Sequence, residues 1–239
     1  MLKNKPLIRW TIGPVAKEGF VCLKLAVELM QSLYKDTCNY AVCYNGLSNQ
    51  QKSLLPNVNL LVNQENYSNL FHCNPPVFGF GGPAWKLYPP RLNMDSHEII
   101  IDNDVIIYKK PEQFNIFFKK NIITITEAIT RSYSKSLEHL IPEGYNINSG
   151  VICLPPNFDF EKKISNCIKL FNLNWQNHFD EQTLIAYITS QQTVQIIPLL
   201  EIQVSNFTKN GNCGNHFIGL NSGYNPNWAK CKKEFIKLI

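Results

Sequence analysis

The sequence contains no C-x-x-C pair, and this absence limits what its eight cysteines can do. Their spacing is irregular, and several lie in apolar stretches such as FVCLKLA and GVICLPP. Two short spacings, Cys38 to Cys43 and Cys213 to His216, do not complete a four-ligand zinc set. We therefore predict free, buried thiols of a reducing compartment, rather than a disulfide framework or a structural zinc site.

The sequence also lacks a long apolar run. No window approaches the length of a membrane span, and the opening MLKNKPLIRWTIG has no cleavage-type site of a signal peptide. These features predict a soluble, cytoplasmic protein. The basic tail NWAKCKKEFIKLI predicts a terminal helix, which would either dock on the protein or make a weak contact with a membrane surface. The predicted apolar side of this helix consists of Phe235, Ile236, Leu238 and Ile239.

Charged residues are few, at 17% of 239 residues, and no internal repeat or low-complexity block occurs. With 44% apolar residues, the composition is that of an ordinary globular protein, so disorder is not expected. The length allows one large domain or two small ones, with a core and an internal cleft. The net charge of +5 suits phosphate-bearing ligands, but the lysines and arginines are scattered and do not indicate a nucleic-acid partner.

The first part of the chain alternates between strand and helix patterns. PLIRWTIG predicts a strand that ends at Gly13. GFVCLKLAVELMQSLY predicts a helix, because Val21, Leu25, Leu29 and Leu33 form one apolar stripe. CNYAVCYNG and VNLLVN predict two further strands. This order favours an α/β fold with a parallel sheet and crossover helices.

The rest of the chain continues in the same manner after a proline- and glycine-rich loop from Phe71 to Pro90. HEIIIDNDVIIY and IITITEA predict strands, and YNINSGVICLPP predicts a turn-prone entry followed by a short strand. FDFEKKISNCIKLFNLNW and DEQTLIAYITS predict helices, and VQIIPLL predicts a late strand. NGNCGNHFIGLNSGYNPNW predicts a loop.

Two aspartates, Asp102 and Asp104, stand where the apolar run HEIII ends. On an open parallel sheet, ligands bind beyond the carboxyl ends of the strands. Residues two apart on an extended chain point the same way, and Mg²⁺ or Mn²⁺ commonly links such a carboxylate pair to nucleotide phosphates. The same residues also fit an Asp-Asn-Asp turn inside a hairpin. The local pattern leaves both interpretations open.

Three later fragments carry further polar groups. His216 in HFIG is either a third, imidazole ligand or a surface residue. The small polar residues at 148–150 in NINSGV mark either a close approach of a ligand to the backbone or a turn. In FDEQ, Asp180 and Glu181 start a helix, and Asp180 suits an N-cap whatever the function.

Taken in this order, the four fragments resemble the GT-A glycosyltransferases, especially the metal-dependent retaining group of glycogenin and the bacterial lipopolysaccharide galactosyl- and glucosyltransferases. In that group a strand ends in D-x-D, and an N-x-G-V element, an acidic helix start and H-x-x-G follow. The resemblance runs over about residues 7–228. It implies one GT-A (Rossmann-like) domain with a central mixed, mostly parallel sheet, flanking helices and an acceptor-side subregion. Its nucleotide-binding half would be about 1–108 and its acceptor-side half about 109–239.

The resemblance also implies a function, namely transfer of a hexosyl or deoxyhexosyl group from a UDP- or GDP-sugar to a hydroxyl of a glycan, glycolipid or protein. Retention of configuration and a Mn²⁺ or Mg²⁺ cofactor are part of that expectation. Asp102, Asp104 and His216 would hold the cation, and Asp180 or Glu181 would act at the sugar. The implied nucleotide-sugar contacts are Thr11, Gly13, Asn45, Lys86, Arg91, Asn103, Asn148, Ser149, Gly150, Gly219 and Lys230.

The sequence departs from the family after H-x-x-G. A Lys-Pro-Trp segment is typical there, whereas GLNSGYNPNWAK has an asparagine between its proline and tryptophan. The diphosphate contact would therefore fall to Lys230, Lys86 or Arg91, or be lost. Three alternative functions remain open: a nucleotidyltransferase, a metal-dependent phosphohydrolase, and a non-catalytic nucleotide-sugar- or glycan-binding domain on the same fold. The sequence lacks the glycine-rich, lysine-bearing turn that a nucleotidyltransferase would show, and a phosphohydrolase would usually show more histidines and acids.

Overall fold

The computed structural model describes residues 5–62, 87, 89–135, 137–171, 178–204 and 210–239. The described residues form six α-helices and ten strands. The helices are α1 (Lys17–Tyr34), α2 (Asn49–Leu54), α3 (Glu112–Lys120), α4 (Phe160–Phe171), α5 (His178–Ser190) and α6 (Pro226–Ile236). The strands are β1 (Leu7–Ile12), β2 (Asn39–Tyr44), β3 (Asn59–Val62), β4 (Glu98–Asp102), β5 (Val105–Ile107), β6 (Ile123–Glu127), β7 (Ile147–Leu154), β8 (Val194–Ile197), β9 (Ile202–Val204) and β10 (Gly214–His216).

Seven strands form the larger sheet, in the order β3-β2-β1-β4-β7-β6-β8. Strand β7 runs antiparallel to β4 and β6, while the other neighbouring strands of this sheet are parallel. All six residues of β1 are buried, as expected for a strand that is covered on both faces. The prediction of an α/β fold with a mixed, mostly parallel sheet flanked by helices is confirmed.

The larger sheet separates two layers of apolar side chains. Ile99 and Ile101 of β4 pack in the layer that contains α1, whereas Ile100 packs in the layer that contains α4 and α5. This division follows from the strand geometry, since successive side chains point to opposite faces of a sheet. The polar residues of β4 are confined to its two ends, which are Glu98 and Asp102.

The remaining three strands form a small sheet in the order β5-β10-β9. Strands β4 and β5 therefore belong to different sheets, although only Asn103 and Asp104 separate them. The hairpin interpretation of HEIIIDNDVIIY is wrong, because the two strands do not pair with each other. The chain instead leaves one sheet at Asp102 and enters the other at Val105, so the aspartates lie at the junction of the two sheets.

Several local predictions need correction. Helix α2 was not predicted, although Ser48 and Gln51 form a capping box that the sequence displays. Helix α5 begins at His178, so Asp180 lies in the first turn rather than at the N-cap. Apart from Asn146, the NINSGV fragment lies inside β7 and not in a turn before it, and the predicted glycine-rich loop contains β10. Both segments contain few apolar residues, so their strand conformation depends on pairing with neighbouring strands rather than on a local sequence pattern.

The basic terminal segment forms α6, and two buried aromatic residues dock it. Trp228 and Phe235 are each 2% exposed, and the Trp228 indole N–H donates to Glu18 of α1 at 2.6 Å. Of the predicted apolar side, Phe235 is buried, while Ile236, Leu238 and Ile239 are exposed. Within the described ranges, we find no helix with the length and hydropathy needed to cross a bilayer.

The seven cysteines in the described ranges are free thiols, and six of them are buried. Burial raises the pKa of the Cys22 and Cys153 thiols well above the usual range, because the charged thiolate is poorly solvated in the core. The prediction of free, buried thiols is confirmed for six of these residues, whereas Cys231 is free but only partly buried. Cys73, like most of the predicted loop from Phe71 to Pro90, lies outside the described residues.

Candidate metal centre

Asp102, Asp104 and His216 form a compact cluster. Each offers one potential ligand atom, and these atoms all lie within 4.8 Å of one another. The His216 Nε2 atom is 3.2 Å from Asp104 Oδ1 and 3.9 Å from Asp102 Oδ2. Asp104 and His216 are buried, and Asp102 is partly exposed. The structure therefore brings together the three residues that the sequence analysis assigned to a cation.

The pairing of β5 with β10 explains how His216 reaches the aspartates. These strands are antiparallel, with His216 opposite Val105, and the Phe217 backbone N–H donates to the Asp104 carbonyl at 2.9 Å. Asp104 directly precedes β5, and His216 ends β10. The ladder of the small sheet thus fixes the imidazole beside the carboxyl end of β4, although the two segments are far apart in sequence.

Strand β7 supports the imidazole from the other side. The Asn148 Oδ1 atom lies 2.9 Å from His216 Nδ1 and accepts a hydrogen bond from the Gly150 N–H at 2.8 Å. Gly150 leaves no space for a side chain, since an added Cβ would lie 2.5 Å from His216 Nδ1. The pairing of β7 with β6 shifts register here, between Ile125 and Thr126. Such irregularities commonly re-aim side chains next to functional sites.

This donor set fits a divalent cation. Two carboxylates and one imidazole nitrogen are ligands that Mn²⁺, Mg²⁺ and related ions accept in proteins. Like charges so close together repel each other, and a bound cation would offset that repulsion. The contact of His216 Nδ1 with an oxygen leaves Nε2 facing the carboxylates, as expected for an imidazole ligand held by a second residue.

Asn103, the middle residue of D-x-D, pairs with a residue that the sequence analysis missed. Its amide nitrogen donates to the Asn221 side-chain oxygen at 2.6 Å, and the Asn221 amide nitrogen donates back to the Asn103 oxygen at 3.3 Å. The Asn221 carbonyl also accepts from the Ala16 N–H at 3.1 Å, next to α1. Gly219, at φ +87°, precedes this short 3-10 turn. Asn221 carried no sequence signal beyond its place in the glycine-rich segment.

Three of the implied nucleotide contacts lie at the same edge of the larger sheet as the cluster. Thr11 of β1 is in register with Asp102 of β4. Gly13 follows β1 directly, and Asn45 follows β2, where its backbone N–H donates to the Ile12 carbonyl at 3.0 Å. The carboxyl ends of β1, β2 and β4 therefore present Thr11, Gly13, Asn45 and Asp102 together.

Arg91 lies elsewhere, at the amino end of β4. Its guanidinium donates to the carbonyls of Ser96 and Phe158, each at 2.7 Å, and lies 3.8 Å from Glu98. Burial lowers its pKa from the usual range, the nearby Glu98 acting in the opposite direction. The structure does not bring Arg91 to the aspartate pair, because Glu98 and Asp102 are the opposite ends of one strand. Lys86 lies outside the described residues.

The acidic helix start lies in the layer that covers β7. Asp180 and Glu181 are buried in the first turn of α5, and α5 packs against β7, the strand that carries Asn148. The next residue, Gln182, donates from its amide to the Ser132 carbonyl at 2.8 Å. The same turn thus fixes the segment between β6 and β7. Lys230 is exposed on α6.

Comparison with family models and with curated proteins gives no match, whereas comparison with solved structures does. The galactosyltransferase LgtC, solved with donor and acceptor sugar analogues, matches with a TM-score of 0.64 at 13% identity, over 97% of this chain and 94% of LgtC. Mouse xyloside xylosyltransferase 1 matches with a TM-score of 0.59 at 12% identity, over 91% of this chain and 99% of that chain. GlyE of Streptococcus pneumoniae matches with a TM-score of 0.53 at 12% identity, over 99% of this chain and 51% of that chain.

The chain has the GT-A fold. The matched structures carry names for different transferred sugars, so the likeness supports a glycosyltransferase fold in general and does not single out the glycogenin subgroup. Within this GT-A fold, the Asp102–Asp104–His216 cluster lies at the carboxyl end of β4, where open α/β sheets bind ligands.

Proposed function

We propose that this protein is a metal-dependent glycosyltransferase, which moves a sugar from a nucleoside diphosphate-sugar to a hydroxyl group of a glycan, glycolipid or protein. The observation that carries the proposal is the convergence of Asp102, Asp104 and His216 within 4.8 Å at the carboxyl end of a GT-A sheet. The matched galactosyltransferase and xylosyltransferase support the same reaction class. The proposal includes retention of the anomeric configuration, which the family resemblance implies.

In this reaction the bond between the anomeric carbon and a diphosphate oxygen breaks, and its electron pair leaves with the nucleoside diphosphate. A new bond forms to the acceptor oxygen, whose proton passes to a base or to the leaving phosphate. A divalent cation, when bound, would act as a Lewis acid on the diphosphate as negative charge develops there. Asp102, Asp104 and His216 would hold that cation, and Mn²⁺ suits a set of two oxygens and one nitrogen better than Mg²⁺ does.

The remaining roles combine the family resemblance with position in the fold where the structure describes the residue. Thr11, Gly13 and Asn45 share the sheet edge with the cluster and would contact the nucleoside. Asp180 or Glu181, in the first turn of the helix α5 that packs against β7, would orient the sugar hydroxyls or stabilise positive charge at the anomeric carbon. Asn148, Ser149 and Gly150 would form part of the sugar pocket, and Asn103 and Gly219 would flank the ribose and diphosphate. Lys86 and the exposed Lys230 would add positive charge for the diphosphate.

The Asp104→Ala variant tests the proposal. We expect it to lose Mn²⁺-dependent binding of a UDP- or GDP-sugar in titration calorimetry, while its thermal unfolding remains cooperative. Unchanged binding would overturn the assignment. A panel of nucleotide-sugars, screened for slow hydrolysis by the wild type with Mn²⁺, identifies the donor. Binding without turnover would instead indicate a non-catalytic nucleotide-sugar-binding domain, and the anomeric configuration of the product tests retention.

A further inference from the structure

The two ring nitrogens of His216 face different groups. Nε2 faces the carboxylates of Asp104 and Asp102, at 3.2 and 3.9 Å. Nδ1 faces the side-chain oxygen of Asn148 at 2.9 Å. A neutral imidazole carries its proton on one nitrogen and a lone pair on the other, so the partner of Nδ1 decides which nitrogen can bind a cation.

The hydrogen bonds of Asn148 identify the atom that faces the imidazole. The backbone N–H of Gly150 points at the same Asn148 Oδ1, at 2.8 Å. A backbone N–H can only donate, so this position must be occupied by an acceptor, and a flipped amide would place two donors against each other. Asn148 therefore presents an oxygen to His216, and that oxygen pairs with an Nδ1–H group. In the neutral ring, this tautomer places the lone pair of Nε2 toward the carboxylates.

Asn148 is itself held firmly. It is 7% exposed, and its backbone carbonyl accepts a hydrogen bond from the Thr126 hydroxyl at 2.6 Å. The register shift between β6 and β7 lies beside it, and the missing side chain at Gly150 lets the imidazole approach the strand. A rigid acceptor at this distance constrains both the proton position and the ring orientation of His216.

We propose that Asn148 is a positioning residue for the cation, which acts through His216 by fixing the tautomer with Nδ1–H and thereby making Nε2 the ligand atom. This inference rests on the proposed metal-dependent function and deepens it. It gives Asn148 a role toward the imidazole that is separate from any contact with a sugar. Residues of this kind typically change metal affinity by about 10–100-fold.

A double-mutant cycle measured by titration calorimetry with Mn²⁺ alone tests the inference. We expect Asn148→Ala to weaken Mn²⁺ binding by about 10–100-fold. We expect Asn148→Asp to bind at least as well as wild type, because a carboxylate oxygen accepts the same hydrogen bond. In a His216→Ala background, the Asn148→Ala change should alter Mn²⁺ affinity by less than about twofold. Asn148 acts through His216, so its removal has no further effect once the imidazole is absent. The Asn148→Asp change in that background measures the contribution of the added charge alone.

The outcomes separate this inference from the function on which it rests. If wild type binds Mn²⁺ and Asn148→Ala binds it equally well, the positioning role is refuted and the proposed function stands. Equal losses in both backgrounds would also refute it, because Asn148 would then act without His216. A weakened Asn148→Asp variant would mean that Asn148 donates rather than accepts. If wild type binds neither Mn²⁺ nor Mg²⁺, both proposals fail. Urea unfolding of each variant identifies any that does not fold. If Asn148→Ala does not fold, the Mn²⁺ affinity of Asn148→Asp is compared with that of wild type, and weaker binding refutes the inference.

Discussion

Replacing Gly150 with alanine tests whether β7 is shaped to admit the imidazole of His216. An added Cβ would lie 2.5 Å from His216 Nδ1, 2.7 Å from its Cε1 and 2.8 Å from Asn148 Oδ1. Nonbonded heavy atoms settle at about 3.5–4.0 Å, so the imidazole or the strand must move by about 1 Å. The φ of Gly150 lies outside the left-handed region, so the backbone itself accepts alanine. The effect should therefore arise from the contact with His216 and Asn148.

The expected magnitudes differ between stability and metal binding. Overpacking costs about 1–3 kcal/mol, and the reduced freedom of the unfolded chain offsets about 0.4–1 kcal/mol of this, so the variant should remain folded. A metal site tolerates a much smaller displacement of its ligands, because metal–ligand distances vary within only about 0.2 Å. A displacement of His216 by about 1 Å removes it as a ligand, and we expect Mn²⁺ affinity to fall by about 100-fold or more.

Titration calorimetry with Mn²⁺, paired with urea unfolding, measures both quantities on the same protein. Gly144→Ala is the matched control, since its Cβ would meet nothing within 4 Å, while its φ of +78° strains any other residue. That control should lose about 1–2 kcal/mol of stability and keep its Mn²⁺ affinity. Wild-type affinity in Gly150→Ala, or equal losses of affinity in the two variants, would refute the steric reasoning.

Three further predictions concern the frame around the site. Glu98→Gln should lower the free energy of unfolding in urea by about 3–5 kcal/mol, because it leaves the fully buried Arg9 guanidinium without its carboxylate. Trp228→Ala should cost about 3–5 kcal/mol and expose α6 to limited proteolysis, because this side chain is 2% exposed and docks the helix. Burial, with Glu201 as the second cause, raises the pKa of Cys213 to about 12, so the unfolded chain releases this proton at lower pH than the folded protein. Stability should therefore fall as pH rises above 9, and Cys213→Ala should reduce that fall in urea unfolding at pH 7 and 10.

The cluster could be predicted in part because D-x-D follows an apolar strand. Polar residues at the carboxyl end of a predicted parallel strand lie at the ligand-binding edge, whatever the details of the fold. Asp102 ends β4 as that reasoning requires, and Thr11 stands beside it in register on β1. The larger sheet was predictable for the same reason, since its strands are apolar runs with clear turn signals between them.

The contacts that complete the cluster depend on pairings that a sequence pattern does not display. Strand β10 has only three residues, none of them strongly apolar, and it exists because β5 and β9 provide hydrogen-bonding partners. The partners Asn148 and Asn221 are likewise set by a register shift and a short 3-10 turn. The charge of Arg91 suggested a phosphate contact, and the structure shows that its guanidinium donates to backbone carbonyls at the amino end of β4.

The carboxylates at the two ends of β4 differ in their partners. A carboxylate taken out of water must be paired or hydrogen bonded. At the amino end, Glu98 receives the Arg9 guanidinium at 2.5 Å and the backbone N–H groups of Leu92 and Asn93, so the protein itself supplies the compensating charge. At the carboxyl end, the structure brings the His216 imidazole to Asp102 and Asp104, and the Nδ1 atom of this ring contacts the Asn148 side-chain oxygen. In its neutral form with Nδ1–H, this imidazole presents the Nε2 lone pair to the carboxylates, and two carboxylates with one such lone pair are a donor set that a divalent cation accepts. One end of β4 thus carries a carboxylate that the protein pairs with a guanidinium, and the other end carries the two carboxylates that we propose bind a cation.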